Sequence, residues 1–164
     1  MHLKICSKCK KKKDINKFSK NKNEKDGINC HCKKCCAEYY QKHKKEIGEK
    51  NREWITKHPH RYWAMNSLSR HKLKGYIVKI TIDELEKLAK QTQRCPICGF
   101  LIKWGYGSKQ KRAASNSPSL DRMDKNKILT IKNIQILCYH CNAVKRTKTM
   151  KGFIEYCKMV ANKY

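Results

Sequence analysis

Residues 119–145 read SLDRMDKNKILTIKNIQILCYHCNAVK, and the architecture of the chain follows from them. Residues 119–123 and 134–137 carry the short apolar runs of strands, and the polar loop 124–133 between them reads as their connection. Cys138-Tyr-His-Cys141 then leads into a helix. A Cys-x-x-Cys pair presents two thiolates from one turn, so a tetrahedral zinc ion needs a second pair. Cys95-Pro-Ile-Cys98-Gly99 supplies it, with 39 residues between Cys98 and Cys138.

The same arithmetic applies at the N-terminus. Cys6 and Cys9 are followed after 22 residues by Cys32 and Cys35, which gives a second four-cysteine zinc site. Cys30, His31 and Cys36 crowd that site, so a ligand exchange among them stays open at this level. Residues 11–26 contain at most four apolar or aromatic side chains, and metal alone is expected to order them. Cys157 is left over and is expected to fill the apolar face of a last helix near residues 150–161, with Phe153, Tyr156 and Val160.

Between the two four-cysteine sets lies a basic helical region. Residues 37–57 are polar and free of proline, as in a solvated helix, and His58-Pro59 ends it. A second helix is expected from Pro59 to Lys74, lined by Tyr62, Trp63, Leu68 and Leu73 and stopped at Gly75. Residues 76–80 read as a short strand. Thr81-Ile-Asp-Glu84 has the spacing of a capping box and opens a third helix through about Gln91. The expected architecture is α+β in three segments: a four-cysteine zinc segment (1–36), a basic helical region (37–94) and a module carrying the second zinc site (95–164).

The 164 residues carry 40 Lys+Arg against 13 Asp+Glu, a net charge of +27, with 11 Cys. All three segments share the excess, so no single tail explains it. Nucleic acid is the best-matched partner class, with ribosomal RNA or an anionic membrane surface as rivals. No stretch is apolar enough to span a bilayer, and MHLKICSKCK has no apolar signal-peptide centre. Neither membrane insertion nor export is expected, which favours metal ligation over disulfides. Arg61, Arg70, Lys72 and Lys74 make residues 61–74 the best nucleic-acid-contacting helix by charge. Its aromatics are read as core more readily than as base-stacking groups.

Residues 95–148 resemble the HNH (ββα-metal) endonucleases. The order of features carries the resemblance: a zinc pair, an Asp on a strand (Asp121), an Asn before an apolar strand (Asn133), and a second zinc pair followed by Asn142. The wider layout is similar to small phage-type HNH proteins, and parts of it to a rare-cutting restriction enzyme and to phage junction-resolving nucleases. The resemblance implies two strands and a helix around one divalent ion, with the zinc site as a clamp. Asp121 and Asn142 fall on its metal-binding positions, as hard oxygen ligands suited to Mg²⁺ or Mn²⁺. Asn133 falls on the residue that ties the loop to the catalytic strand; an ordinary loop-ending Asn is the plainer reading.

The departure is Arg122, which stands where most of the family has a histidine base. A guanidinium keeps its proton and cannot activate water, but it can hold a phosphate. His140, Tyr106, Tyr139 or metal-bound hydroxide are the alternatives for that role. Lys145 is read either as a phosphate contact or as an ordinary solvated lysine. The implied activity is hydrolysis of DNA phosphodiesters to 5′-phosphate and 3′-hydroxyl ends, with a homodimer for double-strand cutting. The implied location is the cytoplasm, that of the host if a phage encodes the chain. The alternative is a zinc-bound nucleic-acid-binding module whose nuclease site is degenerate.

Overall fold

A computed structural model describes residues 2–105 and 114–163. The chain is α+β and divides into two compact units, Met1–Glu53 and Trp54–Tyr164. The basic region set apart by composition is thus shared between the units, and the dividing line falls within a helix.

The first unit opens with strands β1 (Leu3–Ile5) and β2 (Lys12–Asp14), paired antiparallel around the Cys6–Cys9 turn. A 3₁₀ turn (Ile15–Lys17) leads to β3 (Phe18–Lys20), which pairs with β4 (Ile28–Cys32). Helix α1 (Lys33–Lys57) starts immediately after. It begins before residue 37 because Cys35 must turn back toward Cys32, and only its first turn holds a buried side chain. The buried cluster of this unit is Cys6, Phe18, Cys32 and Cys35, with Cys9 and Ile28 at its edge. A cluster made mostly of cysteine offers little apolar area, so a metal ion held by these thiols would supply much of the folding free energy.

The second unit has an ordinary core. Helix α2 (Pro59–Leu73) packs on α3 (Ile82–Gln91), whose capping box closes through Thr81 and Glu84. Ala64, Leu68, Ile80 and Leu85 meet Leu120, Leu129 and Ile134 in one cluster. Truncating the fully buried Leu85 to alanine would cost about 2–5 kcal/mol. Trp63 joins this cluster to the neighbouring one around Cys95, Cys138 and Cys141. Its indole N–H donates to the Pro118 carbonyl at 3.1 Å, and its ring meets Trp104 edge-on at 5.3 Å. Trp63 is therefore core, as expected; Leu73 is not, being 87% exposed at the end of α2.

Strand β5 (Pro118–Arg122) pairs antiparallel with β6 (Ile134–Cys138) in unbroken register, setting Asp121 opposite Gln135. Helix α4 (Tyr139–Lys145) follows β6 directly, and α5 (Met150–Ala161) ends the described fold. The strand expected at residues 76–80 is reduced to a single parallel bridge, Val78 to Leu129. Its partner segment has no room to extend, because the chain enters a 3₁₀ turn at Ile131. The expected burial of Cys157 also fails: only Phe153 of α5 is buried, and Cys157 is exposed.

The two zinc-pair motifs share one backbone plan that the sequence showed only as recurring cysteine pairs. In each, the residue before the first Cys pairs antiparallel with the residue three past the second: Ile5 with Lys12, Arg94 with Leu101. In each, the N–H after the second Cys donates to the first Cys carbonyl at 2.8 Å (Lys10 to Cys6, Gly99 to Cys95). That residue has positive φ, 56° for Lys10 and 71° for Gly99, a conformation natural to glycine and costly to lysine. In each, the third Cys ends a strand and the fourth sits in the first turn of the following helix.

Candidate functional site

The first thiol set is Cys6, Cys9, Cys32 and Cys35, and the second is Cys95, Cys98, Cys138 and Cys141. Within each set every sulfur lies within 4.8 Å of the others. Each site could hold a zinc ion. Cys30 and Cys36 stand outside the first set, as does His31, so the ligand choice left open by the sequence falls on Cys32 and Cys35.

The electrostatics of the two sets explain why a cation suits them. The backbone N–H of Cys9 holds the Cys6 thiol down at about 5, against the opposing effect of burial. Cys32 is lowered by the N–H of Cys35 and by the Lys13 ammonium 3.1 Å away. Burial pushes Cys35 up to about 12. In the second set burial raises Cys95, but backbone hydrogen bonds from Cys138 and Cys98 outweigh it and leave the thiol at about 7. Burial pushes Cys138 and Cys141 up. Four sulfurs this close cannot all ionise alone; a divalent cation removes the conflict by favouring the thiolate at every position.

The sheet and α4 bring the other sequence-selected residues together. Asp121 and Arg122 end β5, while Asn142 and Lys145 lie on α4, and all four line one cleft of about 300 Å³. Asp121 is buried, and both carboxylate oxygens are engaged. Oδ1 accepts from the Lys145 ammonium at 3.0 Å, and Oδ2 accepts from the Gln135 amide at 2.8 Å. Lys145 also donates to the Arg122 carbonyl at 3.1 Å and is only 1% exposed. The solvated-lysine reading of Lys145 is therefore corrected: a carboxylate held away from water needs a counter-charge, and Lys145 supplies it. Asn142 donates through Nδ2 to the Ser119 hydroxyl at 2.7 Å, and its side-chain oxygen keeps its acceptor positions.

Asn133 is buried and acts on the loop after β5. Its Oδ1 accepts from the Asp124 N–H at 2.9 Å, and its Nδ2 donates to the carbonyls of Asp124 and Ile128. The loop is thus pinned where it leaves Arg122. The Arg122 guanidinium donates to the Lys125 carbonyl at 2.7 Å and lies 4.1 Å from the Tyr76 ring centre. Arg122 is also one of the residues lining the cleft.

Comparisons with family models, curated proteins and solved structures return no match to this chain.

Lys74, Arg122, Lys125, Lys145, Arg146 and Lys148 line the cleft, and Asp121 is the one carboxylate among its lining residues. An adjoining groove of about 620 Å³ shares His71, Lys74, Leu120 and Asn142 with it and runs along α2 past Arg70 and Asn66. Arg70 and Lys74 are therefore on the path toward Asp121, while Lys72 is exposed and borders neither space. Arg61 departs from its expected role: its guanidinium donates to Asp83 at 2.7 Å and Glu86 at 2.6 Å, clamping α2 to α3. The Lys90 ammonium, together with Arg61, holds the Glu86 carboxyl below the usual range. His140 is exposed and borders neither space. Tyr139 borders the groove, and Tyr106 lies outside the described residues.

Sequence reasoning missed Gln135, Ser119, His71 and Tyr76. Gln135 follows from the strand register once Asp121 is placed. The other three depend on which loop faces which helix. Among the described residues no helix is long and apolar enough to cross a membrane.

Proposed function

We propose that this chain is a metal-dependent DNA endonuclease of the HNH (ββα-metal) type. The observation that carries the reading is the convergence of Asp121, Arg122 and Asn142 on one cleft ringed by six cationic side chains. A lone acidic spot in a basic surface suits a site that holds a divalent ion and a phosphodiester together. The cationic lining would draw in the backbone, and the Arg122 fork would hold the non-bridging phosphate oxygens as charge builds on them.

The donor set fits Mg²⁺ or Mn²⁺. A carboxylate has more acceptor positions than the two Asp121 uses, and Asn142 Oδ1 is a second hard oxygen. When bound there, the ion would stabilise the charge that develops on the phosphate and on the leaving 3′ oxygen. Asn133 keeps the loop after Arg122 in place, and the second zinc site would keep β6 joined to α4. The expected products are 5′-phosphate and 3′-hydroxyl ends. One site cuts one strand, so a double-strand break needs a homodimer or two encounters.

A second reading, a zinc-bound nucleic-acid-binding module with an inactive nuclease site, draws on one observation. The Lys145 ammonium already neutralises the carboxylate that the catalytic ion would use. Incubating zinc-loaded protein with supercoiled plasmid in Mg²⁺ or Mn²⁺ separates the two. Nicking or linearisation by wild type, lost in Asp121→Asn with DNA binding kept, is the result expected of the nuclease. DNA binding with no cleavage in either metal would leave the binding module.

A further inference from the structure

We infer that His71 is the general base of the proposed reaction, supplied by α2 in place of the histidine that Arg122 displaces; the inference rests on the nuclease reading. Water attacking a phosphodiester must lose a proton, and no imidazole of β5 or α4 borders the cleft or the groove. Arg122 keeps its own proton, and Lys145 is committed to Asp121. His140 borders neither the cleft nor the groove. His71 sits in the last turn of α2 and borders both the Asp121 cleft and the adjoining groove, the one imidazole among the described residues that does so.

The local geometry sets its tautomer. Nδ1 lies 2.7 Å from the Ser67 carbonyl, an oxygen that can only accept. Nδ1 therefore carries the hydrogen and donates it, and Nε2 is left with the lone pair. The α-helix supplies this orientation without a partner side chain, because residue 67 is one turn before residue 71. The ring also rests 5.7 Å from the Tyr76 ring, whose face holds the Arg122 guanidinium. A run of contacts, His71 tilted against Tyr76 and Arg122 over the Tyr76 ring, thus links the end of α2 to the end of β5. In the step, Nε2 takes one proton from water as the water oxygen bonds to phosphorus. The P–O3′ bond breaks, its electron pair leaves on O3′, and O3′ takes up a proton from solvent. The imidazolium then returns its proton to solvent.

His71→Asn tests the role, because the shorter amide can still donate to Ser67 but offers no basic nitrogen. The expected result is a fall in kcat of about 10²–10⁴-fold with KM changed less than about threefold. In His71→Ala, added imidazole should restore a measurable part of the lost kcat, which a purely structural defect would not allow. Activity of His71→Asn within about fivefold of wild type, with Asp121→Asn inactive, would overturn the inference and leave the nuclease reading intact. So would loss of cleavage in Tyr76→Phe with His71→Asn active, which would move the base to the phenol. Absence of cleavage by wild type would remove both readings together.

Discussion

The Lys145 ammonium lies 3.0 Å from Asp121 Oδ1, with the two side chains 1% and 5% exposed. A pair this deep is neither a surface salt bridge nor a free metal ligand. Removing one partner leaves the other charged and cut off from water, which costs about 3–5 kcal/mol. Lys145→Met should therefore lower the unfolding free energy by about that much in denaturant titrations of the zinc-loaded protein. The double variant Asp121→Leu/Lys145→Met should recover most of the loss, since it buries no unpaired charge. Equal destabilisation by the single and double variants would show that the two groups are not coupled.

Two cationic positions near opposite ends of α2 should behave differently toward DNA. Arg61 is held by Asp83 and Glu86, whereas Lys74 borders the Asp121 cleft. Lys74→Met is expected to weaken DNA binding and to reduce the slope of log affinity against log salt by about one. Arg61→Met is expected to leave that slope unchanged and to lower thermal stability, because it releases α2 from α3. Fluorescence anisotropy at several salt concentrations reads the first effect, and thermal melts read the second.

His60 should make the second unit sensitive to mild acid. Burial, aided by the Lys90 charge, lowers its affinity for a proton below that of an ordinary histidine, and its ring lies 4.6 Å from that of Trp104. The unfolded chain then binds more protons than the folded one, so stability is full above about pH 6.5 and falls as the pH drops below it. His60→Phe keeps the ring contact and removes the titration. The variant should lose less Tm than wild type between about pH 7 and pH 5. Identical pH profiles would dismiss the effect.

Zinc removal should act unequally on the two units. The buried cluster of Met1–Glu53 is cysteine gathered around Phe18, whereas Trp54–Tyr164 keeps Ala64, Leu68, Leu85 and Leu120. Elemental analysis should find about two zinc ions per chain, as two four-cysteine sites require. Chelation should abolish dispersed amide resonances from residues 2–32 first, with the α2–α3 resonances persisting longer. Simultaneous loss of both sets would show that the aliphatic core does not stand without its metal.

Much of this molecule is legible in one dimension, wherever the determining interaction is local. Cys-x-x-Cys turns, the Thr81–Glu84 capping box and the break at His58-Pro59 all depend on residues a few positions apart. Their spacing alone selects the backbone that forms, so the two cysteine sets could be read directly, whereas the meeting of Asp121 and Asn142 at one cleft was only what the resemblance implied. Electrostatic partners across elements could not be read this way. That Lys145 rather than solvent meets Asp121, that Arg61 is spent on α3, and that His71 faces the cleft are matters of packing. Each follows from which side chain reaches a buried charge or a helix face first, and so from distances between segments far apart in the chain. Local spacing is enough to specify the cysteine frame and the polar residues strung along it. Whether each of those residues meets a charge, a neighbour or the open cleft is set when the elements pack, because burial makes every polar group find a partner.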